Sequence, residues 1–130
     1  MTPQPSALAS RRIMIVEDEY FLADDIARAL KGLGAHVLGP VGELNDALEL
    51  LAREDAVDAA VVDVNLRTSM AFPITKELRS RGIPFVFASG YDKEALPDEY
   101  REAVLLGKPV DAPAIIKALG RVLNRNADDS

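Results

Sequence analysis

Cysteine is absent from the 130 residues, and histidine occurs once, as His36. Without thiols there is no disulfide and no thiolate metal site, which fits a reducing, cytoplasmic setting. A single imidazole cannot build a His-cluster zinc site and leaves little room for a His-based catalytic relay. Basic residues are the minority, 15 Lys and Arg against 21 Asp and Glu, for a formal net charge of −6. Nucleic acid is therefore not an expected partner, because its binding draws affinity from counterions released by a basic surface. No apolar run approaches the roughly 20 residues of a membrane span. The opening segment carries Pro3 and Pro5 but no basic region followed by an apolar stretch, so it does not resemble a signal peptide. What is present is a 48% hydrophobic chain of one-domain size, enough to bury a core without staples. The expected organisation is a flexible arm over 1–10, one domain over 11–125 and a polar tail over 126–130.

Strand and helix signals alternate along that domain. Ile13-Met14-Ile15-Val16 is a short continuous apolar run, suited to a strand covered on both faces. Leu22, Ile26, Ala29, Leu30 and Leu33 then recur at helical spacing, with Gly34 at the expected stop. A second strand is predicted over 35–41, closed by Gly39-Pro40, and a second helix through Leu44, Ala47, Leu48 and Leu51. Ala59-Ala60-Val61-Val62 predicts a third strand ending at Asp63, and Ile74 and Leu78 mark a third helix. Pro84 to Ala88 and Val104 to Leu106 predict two more strands. The last helix is predicted to open with Asp111 as its cap and Pro113 in its first turn. Between Gly90 and Ala103 a short or mobile fourth helix is expected, and the alternating charges from Asp92 to Glu102 read as a solvated face. Five strands alternating with helices imply an α/β fold, a parallel sheet with helices on both faces.

In open sheets of this kind chemistry gathers beyond the carboxyl ends of the strands. The residues there are Glu17 and Asp18 after the first strand, Asp63 and Asn65 after the third, Ser89 and Gly90 after the fourth, and Lys108 and Pro109 after the fifth. Taken singly, each is an ordinary turn former or helix lead-in. Jointly they bring three carboxylates, a hydroxyl and an ammonium to one rim. Three carboxylates in one cleft repel one another, and a divalent cation removes that cost. Oxygen donors without His or Cys select a hard ion, and Mg²⁺ needs few protein ligands. Lys108 suits phosphate oxygens, Ser89 can donate to another, and Gly90 lets the backbone approach. Asp63 can then act as a nucleophile toward phosphorus.

With these residues in place, the chain resembles the response-regulator receiver domains, the CheY-like family. Four motifs carry the resemblance: Ile13 to Asp18, Val61 to Leu66, Phe87-Ala88-Ser89-Gly90-Tyr91, and Leu106-Gly107-Lys108-Pro109. The resemblance covers about Arg12 to Asn124. It implies a flavodoxin-like doubly wound sheet of strand order 2-1-3-4-5. It implies that Asp63 is the phosphoacceptor, phosphorylated by a phosphohistidine on a partner histidine kinase or histidine phosphotransfer protein. It implies that Glu17, Asp18 and Asp63 hold Mg²⁺, joined by the backbone carbonyl of Asn65, and that the Lys108–Pro109 peptide is cis. Ser89, Gly90, Asn65 and Lys108 would bind the phosphoryl group, with Ser89 as the switching hydroxyl and Tyr91 as a neighbour tuning its lifetime. Where family members usually place a switch aromatic stands Leu105, and Val110 follows the Lys-Pro pair. That combination is similar to the FAT GUY subgroup, whose partner kinases are usually of the HWE class. With no output domain after the receiver, action through protein contacts is expected, with no catalysis beyond its own phosphorylation and dephosphorylation.

Two other functions fit parts of the pattern. A receiver-like binding module working without phosphorylation would account for Leu105, but not for a self-repelling acidic cluster. A Mg²⁺ phosphohydrolase of the haloacid dehalogenase type would want a second Asp two residues after the nucleophile, where this chain has Asn65.

Overall fold

Side chains on a strand alternate between faces, so a continuous apolar strand must be covered twice. The computed structural model describes residues 8–66, 70–90, 96–100 and 103–128, the last four as backbone. Its elements are β1 (Arg12–Val16), α1 (Tyr20–Gly32), β2 (His36–Val41), α2 (Leu44–Arg53), β3 (Ala59–Asp63), α3 (Phe72–Ser80), β4 (Phe85–Ser89), a 3-10 turn (Asp98–Tyr100), β5 (Val104–Gly107) and α4 (Ala112–Asp128). The five strands form one sheet in the order β2-β1-β3-β4-β5, and every neighbouring pair is parallel. The expected flavodoxin-like topology is the observed one.

Alternation divides the core in two. Met14, Val16, Ala60, Val62 and Phe87 face α2 and α3, packing with Leu51, Ile74 and Leu78. Ile13, Ile15, Ala59, Val61 and Val86 face the other way, packing with Ile26 and Leu30 of α1 and Ile115 and Leu119 of α4. Helix ends follow local chemistry. Gly34 takes φ +87° just past α1, a conformation that costs glycine nothing, and Ala35 N–H returns to the Leu30 carbonyl at 3.0 Å. Asp111 caps α4, accepting the Ala114 N–H at 3.0 Å.

The second strand spans His36 to Val41, close to the expected range, with a cis Gly39–Pro40 peptide and a shift of register opposite Met14 to Val16. Three expectations need correction. The expected arm over 1–10 is not loose at its end. Leu8 is 2% exposed and packs on the α1/α4 face of the sheet, and Ser10 N–H donates to the Gly34 carbonyl. At the other terminus α4 continues to Asp128, into the expected tail. Between Gly90 and Ala103, the described residues hold a 3-10 turn, and they are not a solvated face throughout: Tyr100 is fully buried. A lone aromatic among charges gives no periodic signal, so sequence pattern could not show that its ring fills a hole against α3.

Candidate functional site

Because the strands are parallel, their carboxyl ends share one rim, and the predicted residues arrive there from separate loops. Glu17 follows β1, and its N–H donates to the Val41 carbonyl of β2 at 2.9 Å. Gly42 lies against the next residue: a Cβ there would come within 3.3 Å of the Asp18 Cα, so a larger residue would press on the acidic pair. Asp63 ends β3 and is 4% exposed. Its Oδ1 accepts the Asn65 N–H at 3.0 Å, and Val64 N–H donates to the Ala88 carbonyl of β4. Lys108 follows β5, tied to the end of β4 through its own N–H to the Ser89 carbonyl at 2.7 Å. The Lys108–Pro109 peptide is cis.

The charged groups meet. Lys108 Nζ lies 3.0 Å from Asp63 Oδ2 and 3.0 Å from Glu17 Oε1. It also lies 3.4 Å from Glu19 Oε1. Glu17, Asp18 and Asp63 each offer an oxygen within 4.8 Å of the others. This set is hard, all oxygen and mostly shielded from bulk water, and it suits a divalent cation. Without one, burial pushes the Glu17 carboxyl up to about 7, helped by its hydrogen bond and repulsion with Asp63, and opposed by the Glu19 N–H and by Lys108. Burial acts to lower the Lys108 ammonium, but its hydrogen bonds to Glu17 and Asp63 prevail and raise it. The lysine thus stays charged throughout the physiological range.

A hollow of about 870 Å³ opens over this cluster, lined by Asp18, Glu19, Asp63, Asn65, Gly90 and Lys108 among others. Ser89 closes β4, fully buried, one residue before Gly90. Leu105 is half-buried and packs on the core face that holds Tyr100. Tyr91 lies outside the described residues. Sequence reasoning missed Glu19. It stood in plain view as the third acid of Glu17-Asp18-Glu19, but only the fold brings Lys108 within its reach.

No protein-family model matches the sequence. Among solved structures, SdrG from Sphingomonas melonis Fr1 is 35% identical, over 91% of this chain and 98% of that one, with a TM-score of 0.75. SdrG is also known in a BeF3-activated conformation, with a TM-score of 0.70. A CheY-like response-regulator receiver domain from Methylobacillus flagellatus is 27% identical, over 88% of this chain and 99% of that one, with a TM-score of 0.71. The transcriptional regulatory protein PdtaR of Mycobacterium tuberculosis is 27% identical over 128 residues, 95% of this chain. The chain spans 62% of the length of PdtaR. No described helix is long and apolar enough to cross a membrane. Sharing its fold with these proteins, and 35% identity with SdrG over nearly the whole of both chains, the chain belongs to the CheY-like response-regulator receiver domains.

Proposed function

We propose that this chain is a two-component switch that accepts a phosphoryl group on Asp63 from a phosphohistidine of a histidine kinase or histidine phosphotransfer protein, and acts by contact with a further protein. The observation that carries this is the Lys108 ammonium, 3.0 Å from the buried Asp63 carboxylate, beside two further acids at the same strand ends. In the transfer, an Asp63 carboxylate oxygen forms the new bond to phosphorus. The phosphorus–nitrogen bond breaks, and its electron pair stays on the donor imidazole. Lys108 already lies beside Asp63, where it can meet the charge of the incoming group. Gly90 at the rim leaves room for the phosphoryl oxygens, and Ser89 is the hydroxyl nearest in sequence that could turn toward them. Glu17, Asp18 and Asp63 would hold Mg²⁺, with the Asn65 carbonyl, and the bound ion would neutralise charge on the transferring oxygens. Phe87 to Tyr91 and Leu105 support the FAT GUY subgroup, and through it an HWE-class kinase partner.

Two expected outcomes test this. Exposure to acetyl phosphate with Mg²⁺ should add one phosphoryl group to the intact mass, and chelation should prevent it. No added mass under either condition would overturn the proposal. Mg²⁺ affinity should also depend on pH, because the proton on Glu17 must leave before the ion binds. With that carboxyl raised to about 7, affinity should climb up to about tenfold per pH unit below it and level off above. The sign for stability is opposite: a carboxyl raised on folding from 4.5 to about 7 favours the metal-free fold at low pH, and that contribution is lost as pH rises through 7. Metal titrations at a series of pH values check the first, and an affinity flat between pH 5 and 8 would contradict it; urea unfolding of the metal-free chain over the same range checks the second.

A further inference from the structure

We infer that Glu19 is a positioning residue for the phosphoryl site: its carboxylate holds the Lys108 ammonium from the solvent side and restrains its hand-over to an incoming phosphoryl group. The inference rests on Asp63 being the phosphoacceptor, as proposed above.

Glu19 occupies the cap position before α1, where Ser, Thr, Asp or Asn would normally bond the first free amides. Its side chain makes no such bond. It turns across the rim instead, to within 3.4 Å of Lys108 Nζ. Its backbone is fixed meanwhile: its N–H donates to Glu17 Oε2 at 3.0 Å and its carbonyl accepts the Ala23 N–H at 2.9 Å. The carboxylate is therefore hung from a rigid point beside the acidic cluster, not from a free loop.

An ammonium has three donors. Here it hydrogen-bonds Glu17 and Asp63, and the Glu19 carboxylate makes a third, longer ion pair at 3.4 Å. The first two are buried in the site, with side chains 1% and 5% exposed, whereas the Glu19 side chain is 60% exposed. Glu19 is thus the partner that can leave. It also lines the hollow over Asp63 together with Lys108, and the two line a second hollow with Leu22, Pro109 and Val110. Both residues of the ion pair border both spaces. A phosphoryl group entering over Asp63 meets this carboxylate as a like charge and as a competitor for the positive charge of Lys108. Loss of the contact should make the site accept oxyanions more readily.

The test uses the full chain with Mg²⁺ and two probes: acetyl phosphate, followed by intact mass, and beryllofluoride, followed by its binding curve. Glu19→Gln should raise both the labelling rate and the beryllofluoride affinity by about two- to fivefold at low salt, as for an exposed ion pair. The gain should shrink at high salt. Glu19→Asp keeps the charge but loses the reach, and at a cap position its carboxylate would bond the helix amides. It should therefore behave like Glu19→Gln if contact with Lys108 is what matters. A purely structural role would lower labelling and leave beryllofluoride affinity unimproved. Glu19→Gln matching the wild type in both measurements, or Glu19→Asp matching it while Glu19→Gln does not, would overturn the inference and leave the phosphoacceptor assignment standing. A wild type that neither labels nor binds beryllofluoride would overturn both.

Discussion

Asp63→Asn should abolish the phosphoryl mass gain completely, while the chain stays folded. The two side chains have nearly the same shape, and Asp63 sits in a tight, 4% exposed site that an isosteric amide can fill. The chemistry does not survive the exchange, because the amide has no carboxylate oxygen free to bond phosphorus. The surroundings change in a defined way too. Asp63 uses one oxygen for the Asn65 N–H and the other for Lys108. Asparagine has a single oxygen for these two donors, so one contact must be lost. The Glu17 carboxyl should relax downward, since its hydrogen bond and repulsion with Asp63 both help to raise it. Divalent-ion affinity should fall with the lost charge. Intact mass and a metal titration on the variant read these effects separately, and labelling equal to the wild type would place the phosphoryl group on another residue.

The largest expected effect on stability lies away from the acidic rim. Tyr100→Ala should cost about 3–5 kcal/mol, as for other fully buried aromatic rings. Its ring is 0% exposed. It stacks on Phe72 at 5.2 Å and meets Phe87 edge-on at 5.4 Å, and the Arg79 guanidinium lies 4.5 Å from its centre. Arg79 also bonds the Glu99 carbonyl. The 3-10 turn is thereby fastened to α3. Thr75 spends its hydrogen on the Phe72 carbonyl at 2.8 Å, so the Tyr100 hydroxyl is the donor in their 2.8 Å bond. Tyr100→Phe should therefore cost only about 0.5–1.5 kcal/mol, the worth of one hydrogen bond. Urea unfolding of both variants separates ring from hydroxyl. A loss below about 1 kcal/mol for Tyr100→Ala would mean that the ring can be replaced without leaving a cavity. The consequence reaches the site, because Tyr100 anchors the chain just before β5, and β5 delivers Lys108.

The strands, the parallel sheet, the helix stop at Gly34 and the cap at Asp111 were legible because each depends on near neighbours along the chain. Apolar runs, period and turn chemistry are local signals. The acidic residues and Lys108 were legible for a further reason: a parallel α/β sheet sends the carboxyl ends of its strands to one rim, so order along the chain becomes proximity. The contribution of Tyr100 was not legible, because its value lies in a cavity made by Phe72, Phe87 and Thr75 from other elements. The burial of Leu8 escaped for the same reason.

By itself, the sequence determined that Glu17, Asp18, Asp63 and Lys108 follow strand ends that share one rim, and that such residue types suit a hard cation and an oxyanion. The tertiary structure alone decided their distances, and with them which carboxylates hold the ammonium. Coulomb forces and hydrogen bonds act over a few ångströms, and spacing along a chain does not fix lengths of that size between separate loops. Hence Glu17 and Asp63 could be named in advance as companions of Lys108, whereas Glu19 joined them only when the loops after β1 and β5 came together.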